Sequence, residues 1–172
     1  WALGVSPDGM GCITAGNDGE LKVWSLDLDS LAEFGANIAE AKQSNSLTAQ
    51  GILLRQSKDR TLSVAFHPKG EYIAVHGSEK AVEIWRIRSD EEVQKSLARK
   101  RKRRREKAAA AGASVAEAEK EEENTTPDVS EVFVSYVIVR TGGKVRSAAW
   151  AASRSSKNVE LVCSTTNNQI ES

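Results

Sequence analysis

The chain has 172 residues, 24 of them basic and 24 acidic, so its formal net charge is zero; the length suffices for one ordinary core. No apolar run approaches the roughly 20 residues of a membrane helix, and nothing at the N-terminus reads as a signal peptide. Cys12 and Cys163 lack the Cys/His spacing of a zinc site, so both are expected to be core thiols of a non-secreted, soluble chain. The start at Trp1 and the stop at Ser172, inside a strand-like stretch, read as an excised piece of a longer protein.

In chain order, strands are predicted at residues 2–6, 12–15 and 21–26, then 52–55, 62–67, 72–76 and 82–87, and finally 132–140, 145–150 and 159–164. The stretch from Leu3 to Leu26 recurs 61 residues later as Val64 to Ile87, with Pro7, Gly9, Gly16 and Trp24 matched by Pro68, Gly70, Gly77 and Trp85. Each copy reads as a small antiparallel meander of strand, Pro-x-Gly turn, strand, polar turn and a third strand ending in Trp. A degraded third copy begins at Val145, where Ser147-Ala148-Ala149-Trp150 matches Ser63-Val64-Ala65-Phe66 and Gln169-Ile170-Glu171 matches Ala81-Val82-Glu83. Along Glu20-Leu21-Lys22-Val23-Trp24, Leu21 and Val23 face one way and Trp24 the other, as in a sheet covered on both sides.

Two insertions interrupt the pattern. In residues 27–50, Leu28, Leu31, Phe34 and Ile38 have helical spacing, and Gln43 to Ser46 reads as loop. Residues 89–131 open with a capping box, Ser89 with Glu92, followed by Val93 and Leu97 at i and i+4. The run from Arg99 to Lys107 has eight basic residues in nine positions, a third of all the basic residues in the chain. Like-charge i,i+4 pairs such as Arg99 with Arg103 and Arg101 with Arg105 each cost roughly 0.2–0.5 kcal/mol, which bound anions would relieve. Residues 112–127, small and acidic, read as a linker.

A strand ending in Trp with an acid six residues earlier, Asp18 before Trp24 and Glu79 before Trp85, resembles the WD repeat, a four-stranded propeller blade. The expected fold is thus all-β, a partial WD-repeat β-propeller of about two and a half blades with a long, partly helical insertion. Blades are placed at 1–60, 61–140 and 141–172, with Asp18, Trp24, Glu79, Trp85 and Trp150 as structural repeat positions. The Trp-Asp dipeptide is replaced by Trp24-Ser25 and Trp85-Arg86, so the side-chain tetrad of such blades is incomplete and stability must rest on stacked apolar strands. The strand Val82-Glu83-Ile84-Trp85 running into Ser89-Asp90-Glu91-Glu92 and a Lys/Arg helix, with Ile52 to Lys58 and Phe66 to Gly77 before it, resembles the U-three-associated protein twelve family. These are WD-repeat subunits of the UTP-B assembly in the small-subunit processome. The resemblance implies late blades of a first propeller, a place in the nucleolus, other UTP-B subunits as protein partners, and pre-rRNA and U-three small nucleolar RNA as RNA partners.

Catalysis finds little support. His67 precedes Pro68 in a turn and His76 alternates within a strand, and neither has a nucleophile or orienting partner. Gly9-Met10-Gly11 and Thr141-Gly142-Gly143-Lys144 read as hairpin turns and not phosphate loops. Asp18 and Glu79 read as turn carboxylates accepting local backbone N–H groups. No metal, cofactor, membrane or small-molecule partner is expected. The residues that carry function are then Lys95, Arg99, Lys100, Arg101, Lys102, Arg103, Arg104, Arg105 and Lys107, which would meet RNA phosphates or an acidic partner, or act only as a nuclear-import signal. The expected role is a non-enzymatic scaffold in ribosome biogenesis; the alternative is a generic nuclear WD-repeat adaptor, a substrate receptor or chromatin scaffold, whose basic run serves import alone.

Overall fold

Most successive strands of this chain are joined by turns too short to reach anywhere but the neighbouring strand, and the strands on either side of each long insertion pair as well, so they fold as antiparallel meanders. A computed structural model describes residues 1–29, 46–110, 112, 127–151 and 159–172. It contains three such sheets in sequence. The first is β1 (Ala2–Val5), β2 (Gly11–Ala15), β3 (Glu20–Leu26) and β4 (Leu47–Leu54); the second is β5 (Thr61–Phe66), β6 (Tyr72–Gly77), β7 (Ala81–Ile87) and β8 (Phe133–Arg140). The third has three strands, β9 (Val145–Trp150), β10 (Leu161–Thr165) and β11 (Ile170–Glu171). Between β7 and β8 stand a long helix, α1 (Asp90–Ala110), and a short one, α2 (Val129–Val132). This is an all-β, partial WD-repeat β-propeller.

The first strand of each sheet packs on the first strand of the next, β1 on β5 and β5 on β9, and a core fills each junction. The larger takes Ile13, Leu21, Val23 and Leu53 from the first sheet and Val64, Ile73, Val75 and Trp85 from the second. The smaller takes Ala74 and Val82 from the second sheet and Val145 and Cys163 from the third. The middle sheet is therefore apolar on both faces, because alternate residues of β6 serve opposite junctions: Ile73 and Val75 one, Ala74 the other. Gly4 sets how closely the first two sheets approach, since a Cβ there would lie 2.8 Å from the Val64 side chain.

A charged pair closes the same junction. Arg55, just past β4, is 6 % exposed and sends its Nε to the Glu83 carboxylate on β7 at 3.1 Å. The backbone N–H groups of Gln56 and Ser57 also donate to Glu83, at 3.1 and 3.2 Å, while Arg55 Nη1 donates to Thr61 Oγ1 at 3.0 Å and to the Asp59 carbonyl at 3.2 Å. Every ionised group is thus met by both an opposite charge and dipoles, the condition under which a buried pair is tolerable. The expectation that blade stability leans on stacked apolar strands holds for the core, and this clamp adds to it. Its trace in the sequence is Glu83 itself, flanked by Val82 and Ile84 in an apolar strand where the first copy has the exposed Lys22. The third sheet repeats half of it: Glu171 accepts the Gly142 N–H at 3.0 Å, but Thr141 stands where Arg55 would be.

Three differences from the sequence reading have physical causes. β4 begins at Leu47, not Ile52, because Leu47, Thr48 and Ala49 continue the ladder with Leu26, Ser25 and Trp24 once a bulge between Val23 and Trp24 resets the register. Glu79 does not repeat the bond that Asp18 accepts from the Glu20 N–H at 3.1 Å. In the second copy Asp59 reaches in from the preceding loop and accepts from Ser78 N–H, filling the space beside Gly77, where any Cβ would collide with its carboxylate. Trp24 Nε1 donates to Thr14 Oγ1 at 2.9 Å, yet Trp85, 61 positions later, finds Val75 in place of that threonine, and its Nε1 has no partner among the described residues. Most of the helical spacing expected in residues 27–50 and the linker at 112–127 lie outside the described residues.

Glu83→Ala is expected to cost roughly 3–5 kcal/mol, because Arg55 keeps only the Asp59 carboxylate at 3.2 Å and the Gln56 and Ser57 N–H groups lose their acceptor, whereas Arg55→Met with Glu83→Leu should cost far less. Denaturant unfolding of the single and double variants measures both. Val75→Thr, a change that normally penalises a core, should here be neutral to within about 0.5 kcal/mol or stabilising, and should lose that benefit in a Trp85→Phe background, because the hydroxyl supplies the missing acceptor.

Candidate nucleic-acid interface

α1 starts where the sequence provides a cap. Ser89 N–H donates to Glu92 at 3.1 Å and Glu92 N–H to Ser89 Oγ at 3.4 Å, a reciprocal capping box, and Asp90, Glu91 and Glu92 complement the N-terminal dipole. Arg86 on β7 adds an ion pair to Glu92 at 2.7 Å. The first half of the helix then turns a stripe at i, i+3, i+4 and i+7, Val93, Ser96, Leu97 and Lys100, towards the short helix α2. Val93 is buried, and α2, against which α1 packs, sets its Val129 over Gly51 of β4.

Glu131, on α2, is the other half of the anchor. Its carboxylate is buried and receives Ser96 Oγ at 3.0 Å and the Lys100 ammonium, with Arg88 Nη1 at 3.8 Å. Lys100 is therefore turned towards the blade. Beyond it the helix continues for ten residues with no further buried side chain, reaching about 15 Å past the anchor. All residues from Arg101 to Lys107 are exposed. Lys95 pairs with Glu91 at 3.9 Å and Lys102 with Glu106 at 4.0 Å, exposed contacts of little energetic weight. Among the described residues no carboxylate pairs with Arg99, Arg101, Arg103, Arg104 or Lys107. The structure thus brings the expected basic residues onto one helix, ties the ammonium of the largely exposed Lys100 to Glu131, and leaves a cationic rod whose root is fixed.

Glu131 and Arg88 escaped the sequence reading. Their signal was slight: Ser130-Glu131 lies just before a strand, 31 residues from Lys100, and only the return of the chain to β8 brings them together. No protein-family model matches the chain. The U3 small nucleolar RNA-associated protein 12 of Saccharomyces cerevisiae is 31 % identical over 144 residues, which is 78 % of this chain. The chain belongs to that family. It spans 14 % of the length of this relative.

The remaining candidate groups of this family member serve the blades. His67 Nδ1 accepts the Lys69 N–H at 3.3 Å inside the β5–β6 turn, and its ring stands edge-on to Trp150 with centroids 5.2 Å apart. Trp150 in turn donates from Nε1 to the Ala65 carbonyl at 2.9 Å, so it staples the second junction. Thr141 to Lys144 forms the turn between β8 and β9, with Thr141 Oγ1 donating to the Gly143 carbonyl at 2.7 Å. Among the described residues no three His, Cys, Asp or Glu side chains converge as metal ligands, and no helix is long and apolar enough to cross a membrane.

His76 is 1 % exposed, with Nδ1 3.4 Å from the Gly77 carbonyl and Nε2 without a partner among the described residues. Burial holds its pKa below the ordinary imidazole value, the Gly77 carbonyl opposing, the Arg55 cation adding to the lowering and Asp59 opposing. The unfolded chain therefore binds a proton near pH 6.5 that the folded chain refuses, and stability must fall as pH drops below about 6.5. His76→Phe should flatten the dependence between pH 7 and 5, where the wild type loses up to about 1.4 kcal/mol per pH unit from this group. Denaturant melts across that range read the difference.

Proposed function

We propose that this chain is a non-enzymatic scaffold of small-subunit ribosome assembly, in which stacked blades hold neighbouring subunits and α1 carries a cationic rod into pre-ribosomal RNA. The observation that carries the reading is the asymmetry of α1: Ser96 and Lys100 tie one end to Glu131 of α2, and beyond them Arg101, Arg103, Arg104 and Lys107 are exposed and pair with no carboxylate among the described residues. Arginines at such density repel one another along a helix, and phosphates relieve that repulsion. No aromatic residue interleaves with the run, so contacts fall on the backbone of the RNA and not on its bases. The family relationship supports the setting, because the yeast relative is named for association with U3 small nucleolar RNA. On this reading the chain works in the nucleolus with pre-rRNA, U3 RNA and the other WD-repeat subunits of UTP-B.

Affinity for RNA should fall with salt at a slope of about −3 to −4 in log–log form, for four to six contacts at roughly 0.7 each, with little dependence on base sequence. In cells, changing the run from Arg99 to Lys107 to Gln and Ala while adding an independent nuclear-localisation signal should lower recovery of U3 RNA and maturation of small-subunit rRNA. Full rescue by the added signal would reduce the run to an import address, and binding that persists at high salt on an acidic protein alone would replace RNA as the partner.

A further inference from the structure

The charge of α1 runs all the way round the helix, and this bears on how many RNA segments it serves; the inference rests on the RNA reading above. At about 100° per residue, counted from Arg99, Arg103 points to about 40°, Lys107 to about 80°, Arg104 to about 140°, Arg101 to about 200°, Arg105 to about 240° and Lys102 to about 300°. No gap in that circuit exceeds about 60°. Every residue from Arg99 to Lys107 is exposed, and only Glu106 among them is acidic. A helix that lies along one surface keeps a side poorer in charge towards it, and α1 has none beyond Leu97.

The cations also outnumber what one strand offers. The run from Arg99 to Lys107 covers about 12 Å of helix axis, along which one strand of a duplex brings a phosphate roughly every 3 Å, or about four in all. Even with Lys100, Lys102 and Arg105 left out, Arg99, Arg101, Arg103, Arg104 and Lys107 remain, spread over about 200° of the circumference. A duplex laid along the rod touches less than half of that circumference, because both are convex. The cations on the far side then keep their mutual repulsion. We propose that α1 holds two RNA segments at once, one on each side, and bridges them as the counterion between two backbones that would otherwise repel. The anchor leaves both flanks open, since Ser96 and Lys100 tie only the root of the rod to Glu131.

The test uses the full chain and two RNA duplexes of unrelated sequence, one immobilised and one fluorescent, at near-physiological salt. The captured chain should recruit the fluorescent duplex about tenfold or more above the level without protein, and sedimentation should show one chain with two duplexes. Neutralising one side, with Arg101→Gln, Arg104→Gln and Arg105→Gln, should leave the first duplex bound and cut recruitment of the second by about tenfold or more. Arg99→Gln with Arg103→Gln and Lys107→Gln should do the same from the other side. Arg→Lys changes at Arg101, Arg104 and Arg105 should keep the bridge, because phosphates read the charge. Wild-type complexes with fewer than two duplexes per chain, recruitment found only where two or more chains are present, or one-sided variants that keep both duplexes or lose both together would overturn the proposal. A wild-type chain that captures neither a duplex nor single-stranded RNA would instead remove the RNA reading itself, and this proposal with it.

Discussion

The junction between the first two blades is the constraint from which the rest of the molecule takes its geometry. A meander of four short strands has two faces and no core of its own, so it must bury one face against another sheet. Here that burial is apolar over most of its area and ionic at one end, where Glu83 meets Arg55 and two backbone N–H groups. The apolar part is tolerant of sliding, since one branched side chain packs against several others nearly as well. The clamp is not tolerant, because a shift of one residue would leave a buried charge without its partner. Apolar contact therefore supplies adhesion and the ion pair supplies register.

The repeats have diverged around that division of labour. The Thr14–Trp24 hydrogen bond survives in the first blade, where Trp24 lies on the face turned away from the second. At the buried junction Trp85 has lost the corresponding acceptor to Val75, and the cost of an unsatisfied indole N–H is offset by packing on both sides. At the second junction the indole of Trp150 reaches a backbone carbonyl instead, and Glu171 holds a turn N–H without any arginine. One architecture thus uses three different polar solutions, each set by which neighbour the strand happens to face.

The basic helix depends on the blade in turn. A segment so rich in like charges has no face of its own to bury, and in isolation its second half would gain little from folding. What holds its direction is the first two turns: a capping box, one buried valine and a carboxylate that arrives from beyond the insertion. Glu131 thereby couples the insertion to the strand that follows it.

Much of this was legible in the residues alone. The 61-residue repeat, the alternation of Leu21 and Val23 and the cap at Ser89 are local or periodic, so each declares itself within one window of sequence. The basic run is also a property of composition, and its position after Val93 and Leu97 already indicated that no core face continues into it. The tertiary structure decided what depends on partners distant in the chain: that Arg55 answers Glu83, that Asp59 and not Glu79 closes the second turn, that β4 starts at Leu47, and that Lys100 belongs to Glu131. The physical reason is common to all four. A charge or a hydrogen-bond donor identifies only the kind of partner it needs, and which partner it receives is fixed when the strands stack and the bulge at Val23 sets the register between them.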